Sequence, residues 1–297
     1  MEPNIHPVFE SNTGTWQYIV ACPKTLHAVI IDPVLNLDLA EHTITTFSAD
    51  ELLDIVIANN YTVLRLLETH VHADHLTAAY YLQRRLLKST GHTVQICTGH
   101  RINLVQQTFA QKYHVPQTEL ENAFDYLFED DEEFNIGDLT ARALHLPGHT
   151  PDHSGYQIGS NVFTGDSIFN PDVGSARCDF PNGDANALYN SMQKLLALPA
   201  HYKLYTGHDY PPADSGREPM PFVTVSEQRE SNKHVGGGAR KEEFVDWRSS
   251  RDSTLNEPKL LHLALQVNIR GGRLPPGFDD SARVFLQMPF SVPRSLC

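Results

Sequence analysis

The sequence predicts a mixed α/β protein, and three features of the chain lead to that prediction. Stretches rich in β-branched and aromatic residues alternate with stretches whose apolar residues recur at helical spacing. Hydrophobic residues make up 40% and charged residues 20% of the 297 positions, which is ordinary for a globular protein with a substantial core. Several strand-like stretches end on a histidine or an aspartate. We therefore expect sheets covered by helices, with polar side chains gathered at strand ends.

The amino-terminal third predicts a hairpin followed by a helix and a buried strand. Residues 16–21 and 28–32 are β-branched and aromatic and are separated by a turn, so they are predicted to pair. Ser48 and Glu51 form a capping-box pattern, which predicts Ser48 as the N-cap of the next helix. An apolar run then predicts a strand over residues 62–67.

The middle of the chain continues this alternation of helices and strands. The predicted elements are, in order, a helix over residues 76–87, a strand over 94–98, a helix over 102–113, strands over 139–146 and 161–166, a helix over 185–198 and a strand over 203–206.

Three histidines and an aspartate lie within six residues directly after the predicted strand at 62–67. The segment reads Glu68-Thr69-His70-Val71-His72-Ala73-Asp74-His75. Side chains two positions apart project to the same side of an extended chain, so His70 and His72 can face one ion. Imidazole and carboxylate are ligands that borderline divalent metals take. The segment therefore predicts a metal-binding loop.

Three further candidate ligands lie at strand ends or turns downstream of this loop. They are His149, Asp166 and His208, and each directly follows a glycine. Strand ends from distant parts of a chain can bring such residues together at one edge of a sheet. Asp32 ends the second predicted strand and precedes a proline. It is either a turn-forming residue or a group that lies near the metal ligands.

The order and spacing of these residues resemble the ligand set of the metallo-β-lactamase superfamily over roughly residues 15–210. The matching positions are His70, His72, Asp74, His75, His149, Asp166 and His208. The resemblance implies an αββα sandwich, in which helices cover two packed sheets and the metal site lies at one edge.

A narrower resemblance extends to about residue 275. Segments 69–75, 147–153, 165–169, 174–180 and 266–273 are similar to the persulfide dioxygenases (sulfur dioxygenases), especially to their bacterial-type branch linked to sulfide oxidation. The chain beyond residue 215 also changes character, with three consecutive glycines and scattered proline and arginine residues. We interpret residues 1–297 as a single domain, in which residues 215–297 form an extension that caps the site and shapes its specificity.

Two kinds of metal chemistry are compatible with this ligand set. In the first, two zinc ions share the site, and Asp166 bridges them. His70, His72 and His149 would bind one ion, and Asp74, His75 and His208 the other. Two metals generate hydroxide near neutral pH and polarise a carbonyl, which gives a hydrolase such as a glyoxalase II-like thioesterase or a lactonase.

In the second, one Fe(II) per chain is held by two imidazoles and one carboxylate, which leaves positions open for dioxygen and a thiolate. The resemblance points to His70, His149 and Asp166 as these ligands and catalytic residues. The remaining four residues, His72, Asp74, His75 and His208, would orient them. We favour the dioxygenase because segments 174–180 and 268–273 are not needed by a generic hydrolase. The implied reaction converts glutathione persulfide and dioxygen to sulfite and glutathione, without a side-chain nucleophile.

Three residues are candidates for binding the substrate. Arg177 could hold a glutathione carboxylate or stabilise the loop around Asp179. Tyr210 could offer its hydroxyl to sulfur or pack as an ordinary aromatic residue. Arg270, in the tail segment that carries the resemblance, is a third candidate for binding an anion. Arginine suits a carboxylate because its guanidinium donates two parallel hydrogen bonds.

Charge and cysteine usage exclude other classes of function. The net charge of −13 argues against nucleic acid as a partner. Cys22, Cys97, Cys178 and Cys297 lack paired spacing, so neither a disulfide framework nor a cysteine zinc site is expected. Since we see no signal peptide and no apolar run of membrane-spanning length, we expect a cytoplasmic protein, with a mitochondrial location as the alternative. The oligomeric state is left open, a homodimer included. A stabilising or sensing metal site is the non-enzymatic alternative.

Overall fold

The computed structural model describes residues 1–277 and 283–289 of the chain. Cys297 and the end of the predicted extension lie outside the described residues. The strands are β1 (Asn4–Glu10), β2 (Thr15–Ala21), β3 (His27–Ile31), β4 (Val34–Asp38), β5 (Thr43–Thr45), β6 (Thr62–Leu67), β7 (Leu76–Thr77), β8 (Gln95–Gly99), β9 (Tyr126–Phe128), β10 (Glu133–Ile136), β11 (Leu139–His145), β12 (Ser154–Ile158), β13 (Asn161–Gly165), β14 (Lys203–Thr206) and β15 (Phe222–Thr224). The helices are α1 (Phe47–Ala58), α2 (Ala79–Thr90), α3 (Ile102–Tyr113), α4 (Gln117–Leu120), α5 (Ala185–Leu196), α6 (Val225–Ser231), α7 (Lys241–Asp252) and α8 (Leu261–Asn268).

The strands form two large sheets and one small one. The first six-stranded sheet has the order β1-β2-β3-β6-β8-β9, and the second has the order β10-β11-β12-β13-β14-β15. A three-stranded sheet, β5-β4-β7, lies beside them. Both large sheets mix antiparallel and parallel pairs, since β3, β6, β8 and β9 run parallel, as do β13 and β14.

The two large sheets pack face to face over an aromatic-rich core. Residues from both contribute to it, among them Tyr18 and Leu67 from the first sheet and Phe134, Tyr156 and Phe163 from the second. Side chains alternate between the two faces of a strand, so a strand covered on both faces is buried throughout and mainly apolar, and a buried polar side chain in it needs a partner, as Gln17 has in the Val34 N–H (2.8 Å). This accounts for β2, in which every residue is buried.

Helices cover the outer face of each large sheet. Leu52 of α1 and Leu82 of α2 pack on the first sheet in the same core as Ile30 and Ile96. On the second sheet, Leu188 and Met192 of α5 and Phe244 of α7 pack in one core with Val162 and Leu204. The layers are therefore helix, sheet, sheet and helix, and the predicted αββα sandwich is confirmed. Among the described residues, the helices are all too short or too polar to cross a membrane.

Several predicted elements differ from those observed. The edge strand β1 was missed because Pro7 interrupts its pattern. Ser48 is not an N-cap, since α1 begins at Phe47 and the Ser48 hydroxyl accepts a hydrogen bond from Asn36 instead. The predicted helix over 76–87 begins only at Ala79, because Leu76 and Thr77 pair with β4.

One edge of the sandwich collects the ends of four strands from both sheets. β11, β13 and β14 all run in the same direction, so their carboxyl ends meet at one edge of the second sheet. The carboxyl end of β6 lies at the same edge, since the backbone N–H of Ser154 donates to the Thr69 carbonyl (2.7 Å). This arrangement brings the segments that follow these strands together.

Gly148, in the turn after β11, is closely packed against α5. Its φ of +139° is rarely adopted by residues with a side chain, and a Cβ atom there would lie 2.2 Å from the backbone nitrogen of Leu188. The turn that carries His149 therefore requires glycine at this position.

We predict that Gly148→Ala lowers the free energy of unfolding by about 3 kcal/mol or more, because the collision is with backbone that cannot rotate away. Denaturant titration of the purified variant measures this loss. Gly91→Ala is the matched control: Gly91 also has a positive φ (+76°), but no atom of the described residues lies within 4 Å of its Cβ position. It should cost only about 1 kcal/mol. Equal losses in the two variants would contradict the packing argument.

Candidate metal centre

The loop between β6 and β7 carries four of the predicted ligands and is held in place by buried carboxylates. Asp32 accepts hydrogen bonds from the backbone N–H and the hydroxyl of Thr69, at 2.7 and 2.8 Å. Asp152 accepts one from the backbone N–H of Val71 at 3.0 Å. Both carboxylates are buried. They satisfy backbone groups that a buried loop would otherwise leave unpaired.

Asn268, at the end of α8, holds the other side of this loop. Its side-chain amide donates to the carbonyls of His72 and His75, each at 2.8 Å, and its oxygen accepts from the backbone N–H of Thr77 at 2.9 Å. Asn268 lies in the segment 266–273 that carries the resemblance, but its role was not predicted. An asparagine at the end of an apolar helix carries no local signal for such a contact.

The predicted ligands fall into two groups in which the ligand atoms lie within 4.8 Å of one another. His70, His149 and Asp166 form one group, which we call the triad. The second group, which we call the quartet, consists of His72, Asp74, His75 and His208. All seven predicted ligands therefore gather at the sheet edge in these two neighbouring groups.

Hydrogen bonds orient both histidines of the triad. The single hydroxyl proton of Thr69 is donated to Asp32, so we infer that His70 Nδ1–H donates to Thr69 Oγ1 (3.0 Å). His149 Nδ1–H donates to the Arg177 carbonyl at 2.7 Å. Each imidazole therefore keeps an unprotonated Nε2 that can bind a metal.

The third member of the triad is positioned by a further buried histidine. The Asp166 backbone N–H donates to His153 Nε2 at 2.9 Å. The His153 ring also stacks on His70, with ring centroids 4.8 Å apart. Asp166 Oδ2 lies 3.7 Å from His149 Nε2. His153 is the last residue of the segment 147–153 that carries the resemblance, but nothing in the sequence assigned it this positioning role.

The quartet is arranged around Asp74. Its carboxylate lies 3.1 Å from His208 Nε2 and 3.4 Å from His75 Nδ1. His72 also belongs to a third group, with Asp32 and Glu68: its Nε2 lies 3.2 Å from an Asp32 oxygen and 3.5 Å from a Glu68 oxygen. Two roles were considered for Asp32, a turn-forming residue and a group near the metal ligands. The structure matches the second.

The donor atoms of both groups fit a bound metal ion. Within the described part of the chain, His70 Nε2, His75 Nε2, His208 Nε2 and Asp166 Oδ1 are buried and form no hydrogen bond, although the Asp74 carboxylate lies close to His208 Nε2. A native protein rarely leaves so many buried polar atoms unpaired, and a divalent cation would satisfy them. Carboxylate and imidazole donors also match the chemistry of zinc and Fe(II).

Electrostatics in the site follow from burial and from the carboxylates. Burial lowers the pKa of His70 and of His75, so both imidazoles are neutral at pH 7 and able to bind a metal. Burial also opposes protonation of His208, but Asp166 and Asp74 outweigh it and raise the pKa of His208. Without a cation, these carboxylates favour the protonated, positively charged form of His208. A bound metal ion would supply that positive charge instead.

A cavity of about 450 Å³ opens beside the two groups. Its lining includes ligand candidates from both groups, Asp74, His149 and Asp166, together with Phe169 and Tyr210. Residues from the carboxyl-terminal part of the chain also contribute to its wall. The size suits a small-molecule substrate.

Two of the three predicted substrate-binding residues, Arg177 and Tyr210, line this cavity, and Arg270 does not. Arg177 lines the cavity, but its guanidinium forms a two-pronged ion pair with Asp179, which matches the loop-stabilising role considered above. Tyr210 lines the cavity and donates to the Thr13 carbonyl at 3.3 Å.

The geometry of Arg270 disagrees with its predicted anion-binding role. Its side chain is 6% exposed and pairs with Glu119 at 2.7 Å, and it is not among the residues that line the cavity. The tail segment contributes to the site through Asn268 instead of Arg270, because the end of α8 packs against the metal-binding loop.

We predict that Asn268→Ala destabilises the protein and weakens its hold on metal. The change leaves two carbonyls and one N–H without their buried partner, which should cost about 3 kcal/mol or more. Denaturant titration and metal content after dialysis measure the two effects. Asn190→Ala is the control: it removes only an exposed hydrogen bond from Lys241 (3.2 Å) and should change both values little. Normal metal retention in Asn268→Ala would show that the loop holds its shape unaided.

Comparisons with known proteins agree with this geometry. The family model described as the metallo-beta-lactamase superfamily matches residues 13–208, which is more than half of the chain. Glyoxylase B2 of Dictyostelium discoideum is 42% identical over 290 residues, covering 97% of this chain and 96% of that protein. A beta-lactamase hydrolase-like protein of Agrobacterium fabrum is 42% identical over 291 residues, but the chain spans only 65% of its length.

Persulfide dioxygenases are more distant relatives in sequence but similar in structure. The human mitochondrial persulfide dioxygenase ETHE1 is 26% identical over 275 residues, covering 92% of this chain and 90% of that protein. The crystal structure of ETHE1 from Myxococcus xanthus superimposes with a TM-score of 0.71 at 28% identity, covering 91% of this chain and 100% of that chain. Together with the fold and the gathered ligand residues, these matches establish that the chain belongs to the metallo-β-lactamase superfamily and is a metal-dependent enzyme of that superfamily.

Proposed function

We propose that the protein is a persulfide dioxygenase that holds one Fe(II) at His70, His149 and Asp166. The observation that carries this proposal is the separation of the triad from the quartet, since two imidazoles and one carboxylate are the ligand set of non-haem iron oxygenases. Both triad histidines have their Nδ1 atoms engaged and their Nε2 atoms free, as ligands to one ion require. The structural similarity to ETHE1 supports the same reading.

The proposed reaction converts glutathione persulfide, dioxygen and water to glutathione, sulfite and two protons. Bound Fe(II) would supply the electronic coupling that lets dioxygen react with the terminal sulfur. The chain's own residues supply binding and orientation. Thr69 and the Arg177 carbonyl fix the ligand imidazoles, and the cavity holds the substrate beside them. No side-chain nucleophile is required.

A dinuclear zinc hydrolase is the second candidate, and the quartet favours it. The sequence analysis assigned His72 to the first ion, but the structure groups it with Asp74, His75 and His208. These four residues could hold a second ion with Asp166 between the two, since Asp166 lies 3.7 Å from His149 and 3.6 Å from His208. The relatives at 42% identity carry glyoxylase and hydrolase-like names. A thioesterase or a lactonase would be the expected activity.

Other properties of the protein are part of this proposal. Residues 1–297 would form one domain, with residues 215–297 as the extension that shapes the cavity. Lys233 and Trp247, which belong to that extension, line the cavity and support this role. Tyr210 is kept as a candidate for contacting the substrate. Glutathione persulfide and dioxygen would be the only partners required, in the cytoplasm, without nucleic acid or a membrane surface.

Oxygen consumption with glutathione persulfide, measured on anaerobically iron-loaded protein, tests the proposal. We expect uptake that tracks one iron per chain. His149→Ala should lose iron and lower turnover by roughly 100-fold or more, because it removes a ligand. His75→Ala removes a member of the quartet and should still retain one iron per chain.

The contrary result is equally well defined. Two zinc ions per chain, no dioxygen uptake and cleavage of S-lactoylglutathione would establish the dinuclear hydrolase. In that case His75→Ala would lose one of the two zinc ions and most of the hydrolysis. Metal content, counted on the same samples, separates the two candidates before any activity is measured.

A further inference from the structure

A second, smaller cavity reaches His149 between α3, the start of α8 and the 174–180 loop. Its volume is about 120 Å³, against about 450 Å³ for the larger cavity described above. Four residues line both cavities and lie between them: Ala73, His149, Arg177 and Pro258. The small cavity is therefore a separate approach to one of the triad histidines.

The floor of the small cavity is apolar. Apart from His149, its buried lining residues are Ala73, Phe109, Phe180 and Leu261. The rings of Phe109 and Phe180 lie 5.4 Å apart between centroids. Hydrocarbon side chains offer no hydrogen bonds, so a polar ligand would lose its hydration there without replacement. We call this space the apolar cavity.

Charged residues occupy the exposed rim of the apolar cavity, and each is engaged with other groups of the protein. Asp179 pairs with Arg177, and the Glu257 carboxylate lies 3.1 Å from His262 Nε2. The Lys112 ammonium lies 5.9 Å from the ring centroid of a phenylalanine in its own helix. These contacts keep the charges at the surface and leave the buried floor to apolar ligands.

A second approach matters because two reactants must meet at the triad. Polar and charged groups line the larger cavity, among them Asp74, Asp166 and Lys233, and it suits the persulfide substrate. A substrate that lies there with its sulfur at the triad covers that approach to the ligand atoms. The apolar cavity leaves the His149 side open to a second, smaller reactant.

We propose that the apolar cavity is the entry and binding site of dioxygen, which reaches the triad on the His149 side while the persulfide occupies the larger cavity. Its use by dioxygen rests on the proposed function, whereas its affinity for a small apolar molecule does not. Dioxygen is apolar and has no strong hydrogen bonds to lose on leaving water. An apolar cavity of about 150 Å³ lined by leucine, isoleucine and phenylalanine binds xenon, so both size and lining fit.

Xenon binding in crystals held under xenon pressure tests the cavity without any turnover. We expect a xenon atom between Phe109, Phe180 and Leu261 in the wild-type protein. Leu261→Phe takes up part of this space and should lower the xenon occupancy. Leu263→Phe is the matched control, since Leu263 is similarly buried in the same helix but lies outside both cavity linings. Absence of xenon from the wild-type cavity, or equal occupancy in Leu261→Phe, would overturn the site.

Kinetics at varied dioxygen concentration connect the cavity to the reaction. Leu261→Phe should lower kcat/KM for dioxygen about fivefold and leave the KM for glutathione persulfide within about twofold, because only the dioxygen route is narrowed. Pro181→Trp should act in the same direction, and it leaves the core intact because Pro181 is exposed at the rim.

Two results would contradict this assignment in different ways. Unchanged kcat/KM for dioxygen in both variants, or an equal rise in the KM for persulfide, would overturn the separate route. Failure of the wild-type protein to consume dioxygen, with xenon bound in the cavity, would overturn the proposed reaction and the cavity's use by dioxygen. The xenon result would still establish a site for small apolar molecules beside His149.

Discussion

The site depends on one constraint: a group of polar side chains must be buried at a sheet edge without losing its hydrogen bonds. Asp32, Asp152 and Asn268 meet this constraint for the metal-binding loop, because each satisfies backbone groups that the loop cannot pair by itself. Four ligand atoms, His70 Nε2, His75 Nε2, His208 Nε2 and Asp166 Oδ1, have no hydrogen-bond partner among the described residues, and the ligand atoms of each group lie within 4.8 Å of one another. The protein therefore satisfies the backbone around the site with its own residues and leaves the ligand atoms for a cation.

The division of the ligands into a triad and a quartet follows from this support. Thr69 and the Arg177 carbonyl orient the two triad histidines, whereas Asp32 and Glu68 approach His72 on its Nε2 side. The two histidines of the His70-x-His72 motif thus belong to different groups although they lie two residues apart. Which chemistry a member of this superfamily performs depends on such supporting contacts as well as on the ligands.

Much of the fold and most of the site were predictable because they depend on local patterns. The bounds of β6, α3 and β14 match the predicted ones, since each has a clear apolar period. All seven predicted ligands gather at one edge, because each follows a strand. The contacts of Asn268 and Arg270 were not predictable, because they join residues more than 150 positions apart or depend on how α8 packs. Ser48 failed as an N-cap because Asn36, on a neighbouring strand, competes for its hydroxyl.

A continuous series of contacts joins α7 to a metal-ligand candidate. Asp252 pairs with Arg248 and accepts a hydrogen bond from the Cys178 backbone N–H (2.8 Å), and the neighbouring Arg177 carbonyl accepts from His149. The helix and the 174–180 loop therefore form one structural unit that also positions His149. An attempt to exchange substrate preference between relatives by transplanting α7 alone would disturb the imidazole of His149, whereas a transplant that carries the loop as well would preserve it. Substitutions on the exposed side of α7, away from Asp252, would leave these contacts intact. They could therefore change the substrate preference without disturbing His149.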